Sequence, residues 1–256
     1  MQRDLLLLRG LIRESGHWFD WIERLQRRNE WSHIHVIDFP GVGTEWMRSC
    51  PVHLDQILED VRTRLPHFET SPDVLALSMG GMLALRWGEL YGWDQFHTLA
   101  LVNTSARDVA PFWERLNARQ FPKIAKLFLS NNLKAREEVI LELTAQNLSG
   151  ERRENYLAHA IAIGEKRPLS KKTAFRQLLA AARFKAPAEV SIPLFMAVSL
   201  EDRLVSPKCS LALSERYRVS PVLFPENGHD VVLESPDSFE NAWMHFIKLS
   251  KTDVLP

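Results

Sequence analysis

The stretch Asp73-Val74-Leu75-Ala76-Leu77-Ser78-Met79-Gly80-Gly81-Met82-Leu83-Ala84 decides how the chain is read. An apolar run leads straight into Ser78. Two glycines follow almost at once, and then a stretch with helical spacing. A sharp strand-to-helix turn at such a point holds the serine in a strained backbone conformation and lifts its hydroxyl off the end of the sheet. Small neighbours are required there because strand and helix backbones approach closely. The usual spacing is Gly-x-Ser-x-Gly. The first position here is Ala76, a departure that the packing argument tolerates. The competing reading is a serine N-cap at an ordinary strand–helix junction.

Outward from Ser78, short apolar runs alternate with helical patterns. The runs 5–8, 34–38, 74–77, 98–102, 194–198 and 219–224 read as strands buried on both faces. Between them, 17–28, 52–65, 80–91 and 236–249 carry apolar residues at helical spacing. Strands alternating with helices predict right-handed βαβ units and a mainly parallel sheet of about six strands, with helices on both faces. The alternation stops over 106–187, where helical segments near 111–120, 124–129, 135–148, 152–163 and 172–182 are punctuated by Pro122, Gly150 and Pro168. The expected organisation is therefore an α/β core made of 1–105 and 188–256, with 106–187 as an all-helical cap. The cap also differs in charge. It holds 16 Lys/Arg and 8 Asp/Glu, so it carries +8 and the rest of the chain −8.

Two further pieces complete a chemical constellation. After the run 194–198 comes Ser199-Leu200-Glu201-Asp202-Arg203-Leu204-Val205-Ser206-Pro207, which places an acidic residue at a strand end where it can orient a histidine. After 219–224 comes Pro225-Glu226-Asn227-Gly228-His229-Asp230, where Gly228 is expected to let the loop bend so that His229 reaches back over the sheet. Each alone is an ordinary loop residue. In the order Ser, Asp, His they form a nucleophile, an orienting acid and a general base. Glu201 beside Asp202 is a rival acid. Near the start, Leu5–Leu8 runs into Arg9-Gly10-Leu11-Ile12. Ile37-Asp38-Phe39-Pro40-Gly41-Val42-Gly43 reads as a scaffold turn whose glycines allow positive φ.

With these motifs in place, the sequence resembles the α/β-hydrolase superfamily over about 5–249, specifically its compact serine hydrolases with a helical cap. The resemblance implies Ser78 as nucleophile, Asp202 as triad acid and His229 as general base. It also implies an oxyanion hole from the backbone N–H groups of Met79 and Leu11. Arg9 stands where such hydrolases carry the histidine of a His-Gly pair, which leaves a backbone donor intact but changes the pocket. The antiparallel pair of strands that usually opens the fold is expected to be absent. The implied reaction is hydrolysis of a carboxylic ester or thioester through an acyl-enzyme, without cofactor or metal. A serine at the elbow disfavours haloalkane dehalogenases and epoxide hydrolases, which carry aspartate there. Other triad chemistries stay open, among them C–C bond hydrolysis, perhydrolysis and cyanohydrin cleavage, as does a non-catalytic hydrolase-like binding module.

For the substrate pocket, Arg9, Phe112 and Trp113 are the candidates. The other cap aromatics, Phe121, Phe128, Phe175 and Phe184, are expected mainly to pack the cap onto the sheet. Arg115, Arg119, Lys123 and Lys126 fall three to four residues apart. They would form one basic ridge, suited to an acidic carrier or to the phosphates of a CoA ester. The layout is similar to that of pimeloyl-carrier methyl-ester esterases.

Composition excludes several classes. The 256 residues carry 32 Lys plus Arg and 32 Asp plus Glu, so a whole-chain polyanion binder such as a nucleic-acid coat is not expected. Cys50 and Cys209 lie far apart, which excludes a disulfide framework and a cysteine zinc site. No phosphate-binding glycine loop is present, and the histidines show no metal-ligand spacing with a third partner nearby. The first apolar run is too short for a signal peptide, and no run reaches the length of a membrane span. A cytoplasmic protein is expected.

Overall fold

A computed structural model of the chain describes residues 2–252. Its centre is a six-stranded sheet, parallel at every pairing, in the order β2-β1-β3-β4-β5-β6. The strands are β1 (Leu5–Leu8), β2 (Ile34–Val36), β3 (Asp73–Leu77), β4 (Thr98–Val102), β5 (Leu194–Ser199) and β6 (Val222–Phe224). Every residue of the four inner strands is buried, whereas the edge strands β2 and β6 are partly exposed. That contrast is why the inner strands read as unbroken apolar runs. Both edges are shorter than the sequence runs suggest, since pairing with the inner strands covers only Ile34–Val36 and Val222–Phe224.

Alternate residues of each inner strand feed opposite cores. Leu6, Leu8, Val74, Ala76, Leu99, Leu101 and Met196 pack on one face against α2 (Leu54–Arg64) and α3 (Met79–Tyr91). Leu5, Leu7, Leu75, Leu77, Ala100, Val102 and Phe195 pack on the other against α1 (Trp21–Arg28) and the C-terminal helix Pro236–Thr252. There Trp31 stacks on Trp243 at 5.1 Å, and Trp21 meets Phe239 edge-on at 5.7 Å. The helical pattern at 17–28 is interrupted in the structure. A 3-10 turn spans Ser15–Trp18, and Phe19 at φ 55° breaks the chain before α1 begins.

Between β4 and β5 the chain forms helices only: α4 (Phe112–Arg115), α5 (Phe121–Leu129), α6 (Leu133–Thr144), α7 (Gly150–Lys166) and α8 (Lys171–Arg183). The segment read as one helix over 111–120 is split, because Leu116 and Asn117 leave helical geometry before a short 3-10 turn. Helices α6 and α7 make their own small core through Leu141, Ala145, Leu157 and Ala160, joined by Leu233. Arg152 binds Asp20 through two hydrogen bonds at 2.7 and 2.9 Å, tying α7 to the start of α1. After β5 come α9 (Pro207–Tyr217), α10 (Val231–Glu234) and α11 (Pro236–Thr252). No helix among the described residues is long and apolar enough to cross a membrane.

Candidate active site

Ser78 sits between β3 and α3 with φ 57° and ψ −114°, a conformation that costs a side-chain-bearing residue of order 1–3 kcal/mol. The surrounding backbone fixes it. The Ser78 N–H donates to the Val102 carbonyl at 2.8 Å, and the Thr104 hydroxyl donates to the Ser78 carbonyl at 3.3 Å. The glycines after it are required by close approach. A Cβ on Gly80 would lie 2.4 Å from the Leu8 carbonyl oxygen, and one on Gly81 would lie 2.0 Å from Thr104 Oγ1.

Asp202 follows β5 and His229 follows β6, and both are buried. His229 Nδ1 lies 2.6 Å from Asp202 Oδ2. A carboxylate only accepts, so Nδ1 carries the proton and Nε2 is left as the acceptor. The other carboxylate oxygen accepts from the N–H groups of Leu204 and Val205, each at 2.9 Å, which fixes the acid in place. Glu201, the rival acid, is exposed and accepts instead from Asn147 at 3.2 Å. Burial alone would lower the His229 pKa, but the Asp202 carboxylate beside the ring outweighs it and holds the value above the ordinary 6.5.

The loop carrying His229 is held by groups whose part the sequence did not disclose. Asn103, at the end of β4 with φ 49°, donates to the His229 carbonyl at 2.7 Å and to Ser199 Oγ at 2.9 Å. Glu234 accepts from the backbone N–H groups of Gly228 and Asn147. Asp230 pairs with Arg9 at 2.6 Å, both nearly fully buried, and the Arg9 guanidinium lies 4.7 Å over the Trp18 ring. The sequence signals were an asparagine just past a strand and a charged residue, Asp230, beside His229 with no partner in view.

Ser78 and His229 line one cavity of about 100 Å³ beyond the C-terminal ends of the strands. Leu11 lies in its wall from the loop after β1. Most of the rest is apolar and comes from the inserted segment, including Leu116, Ile124, Ile140 and Leu178. Met79 is buried as the first residue of α3. The first-turn N–H groups of a helix lack intrahelical partners and carry its positive dipole end. Next to Leu11, Ile12 is held at φ 59°, and its N–H donates to Gln177 Oε1 of α8 at 2.7 Å.

Several sequence expectations are corrected. Phe112 and Trp113 do not line the cavity. They are 65% and 55% exposed and pack edge-on against each other, because α4 is a short turn facing outward. Phe121 and Phe175 are exposed too, and of the cap aromatics Phe184 joins the core. The Phe128 side chain lies outside the described residues. Arg9 does line the cavity, with its charge engaged by Asp230.

Gly228 is not required for a bend. Its φ is not in the left-handed region, and the constraint is Gln146, whose side chain would lie 2.4 Å from an added Cβ. The basic ridge is broken up. Arg115 turns inward onto the carbonyls of Ala181 and Ala182, Lys123 pairs with Glu142 at 2.8 Å, and the four cations are spread over three elements, with Lys123 and Lys126 alone sharing α5. His33 and His35 do acquire a third partner. Asp4, just before the neighbouring strand β1, lies 3.1 and 3.0 Å from their ring nitrogens, a contact that the register creates and sequence spacing hides. Cys50 and Cys209 are both free, and burial pushes their thiols up to about 11 and about 12, away from reactivity.

Comparison with known proteins agrees with this architecture. The chain is similar to an esterase from Exiguobacterium antarcticum (TM-score 0.75, 14% identity, 96% of this chain and 92% of that one). It is similar to a hydrolase from Pseudomonas aeruginosa (0.74, 19%, 96% and 90%). It is also similar to an enol-lactonase from Burkholderia xenovorans (0.73, 17%, 97% and 92%). At these identities the likeness is one of fold. No curated protein matches the sequence well enough to count as a relative. The alpha/beta hydrolase family profile matches residues 5–242, and on that match the chain belongs to the alpha/beta hydrolase family.

Proposed function

We propose that the protein is a serine hydrolase that cleaves a carboxylic ester or thioester, with 106–187 as its cap. The observation that carries this reading is the buried His229–Asp202 contact at 2.6 Å, opening on the same apolar cavity as the strained Ser78. His229 Nε2 takes the Ser78 proton as Oγ attacks the acyl carbonyl. Asp202 holds the imidazole tautomer and stabilises the imidazolium. The N–H groups of Leu11 and Met79 receive the oxyanion, which the N-terminus of α3 also favours. The alcohol or thiol leaves with the proton from His229. Water, deprotonated by His229, then releases the acid and frees Ser78. The apolar wall excludes bulk water and suits an acyl chain.

The test is labelling by a fluorophosphonate probe, wild type beside Ser78→Ala. Labelling of the wild type that is lost in the variant is expected. A folded wild type that takes no label would make the protein a binding module on a hydrolase scaffold.

A further inference from the structure

A second cavity, of about 220 Å³, adjoins the first, and Ile12, Arg13 and Ile140 line both. Its chemistry is different. Arg13, Arg136 and Arg167 reach its wall with Glu14, Glu137 and His17. Arg13 Nη1 binds Glu137 at 2.7 Å, and Arg167 Nε binds Glu14 at 2.9 Å. Burial, with the guanidinium groups of Arg13 and Arg9 nearby, keeps His17 neutral. Three cations therefore face two carboxylates, and Arg136 has no ion pair among the described residues. Two donors are also left over among the described residues. Arg13 Nη2 and Arg136 Nε are buried without a hydrogen-bond partner, and Arg13 as a whole is only 8% exposed. A buried donor without a partner carries its full desolvation cost, larger still on a charged group. A carboxylate supplies both what is missing in charge and what is missing in acceptors, through charge-assisted hydrogen bonds.

We propose that this second cavity binds a carboxylate at the far end of the substrate, so that the preferred substrates are monoesters or monothioesters of dicarboxylic acids. The apolar first cavity takes the chain between the two ends, and Arg13 stands where the two cavities meet. The inference rests on the serine-hydrolase reading for the reaction, but not for the binding.

The experiment compares p-nitrophenyl hexanoate with mono-p-nitrophenyl adipate, and likewise shorter and longer pairs matched in length. At one chain length the wild type is expected to favour the charged ester at least tenfold in kcat/KM. Arg136→Gln should lower that ratio about tenfold, and Arg136→Lys should keep most of it. A wild type that favours the neutral ester at every length, or a ratio unmoved in Arg136→Gln, overturns the proposal. Arg13 is left intact, because removing it would strand Glu137. Calorimetric titration of adipate and suberate into Ser78→Ala separates the two readings. Binding that is weakened tenfold by adding Arg136→Gln supports the anion site even if the wild type hydrolyses nothing. Fluorophosphonate labelling without charge preference or dicarboxylate binding leaves the hydrolase standing and removes the anion site.

Discussion

Asp202 is the residue on which the proposed chemistry turns. Only neutral His229 accepts the Ser78 proton, so kcat/KM falls as pH drops through the His229 pKa. That pKa lies above 6.5 in the folded enzyme because Asp202 outweighs burial, so the acid limb of the wild type should have its midpoint above pH 6.5. Asp202→Asn removes the raising charge and unfixes the tautomer. Its rate should fall by about 10³–10⁴-fold, with the limb moved to lower pH. A pH–rate profile whose midpoint is the same in both proteins would show that Asp202 does not act on His229. Ser78, Asp202 and His229 were legible because each stands at a strand end with a recognisable neighbour. Asn103 and Asp230 were not, since their partners lie 126 and 221 residues away.

At the scale of elements, the turn from β3 into α3 depends on backbone contact with β1. A methyl group at Gly80 meets the backbone carbonyls of Leu8, the last residue of β1, and of Arg9 just after it at 2.4 and 2.8 Å, and backbone cannot swing aside as a side chain can. Gly80→Ala should therefore cost at least about 1–3 kcal/mol, read as a lower urea midpoint at unchanged slope. Gly16→Ala is the contrast. There the added methyl meets the flexible end of Ile163 at 2.7 Å, and the cost should be smaller. Equal midpoints for the two variants would refute the close-approach argument. The inner strands were readable as apolar runs because both faces are covered. The spacing over 111–120 fits a helix, yet the chain there leaves helical geometry at Leu116 and Asn117.

Across the whole molecule, the Arg9–Asp230 pair joins the first strand's loop to the His229 loop at the other end of the sequence. Both side chains are about 95% buried, so Arg9→Met leaves an unpaired carboxylate in the core and should cost about 3–5 kcal/mol. Asp230 also accepts from the Leu233 N–H as the cap of α10. The double variant Arg9→Met/Asp230→Leu should therefore recover more than half of that loss, but not all of it. Chemical denaturation of the two variants checks this, and a double variant no more stable than the single one would mean that the charge pair is not the cause.

The sequence by itself determined the parallel sheet, the strand–serine–helix turn, the order of Ser78, Asp202 and His229, and the helical insertion. These are local matters, settled by apolar periodicity and by which residues fit a turn. Only the tertiary structure decided what surrounds them. Strand register brought Asp4 to His33 and His35, and the path of α4 sent Phe112 and Trp113 to solvent. The seating of the inserted helices put Ile140 and Leu178 into one cavity with Ser78, and Arg136, which has no ion pair among the described residues, into another with Arg13. Contacts between distant segments depend on packing between whole elements, and no periodicity along the chain records which side chains such packing will bring together.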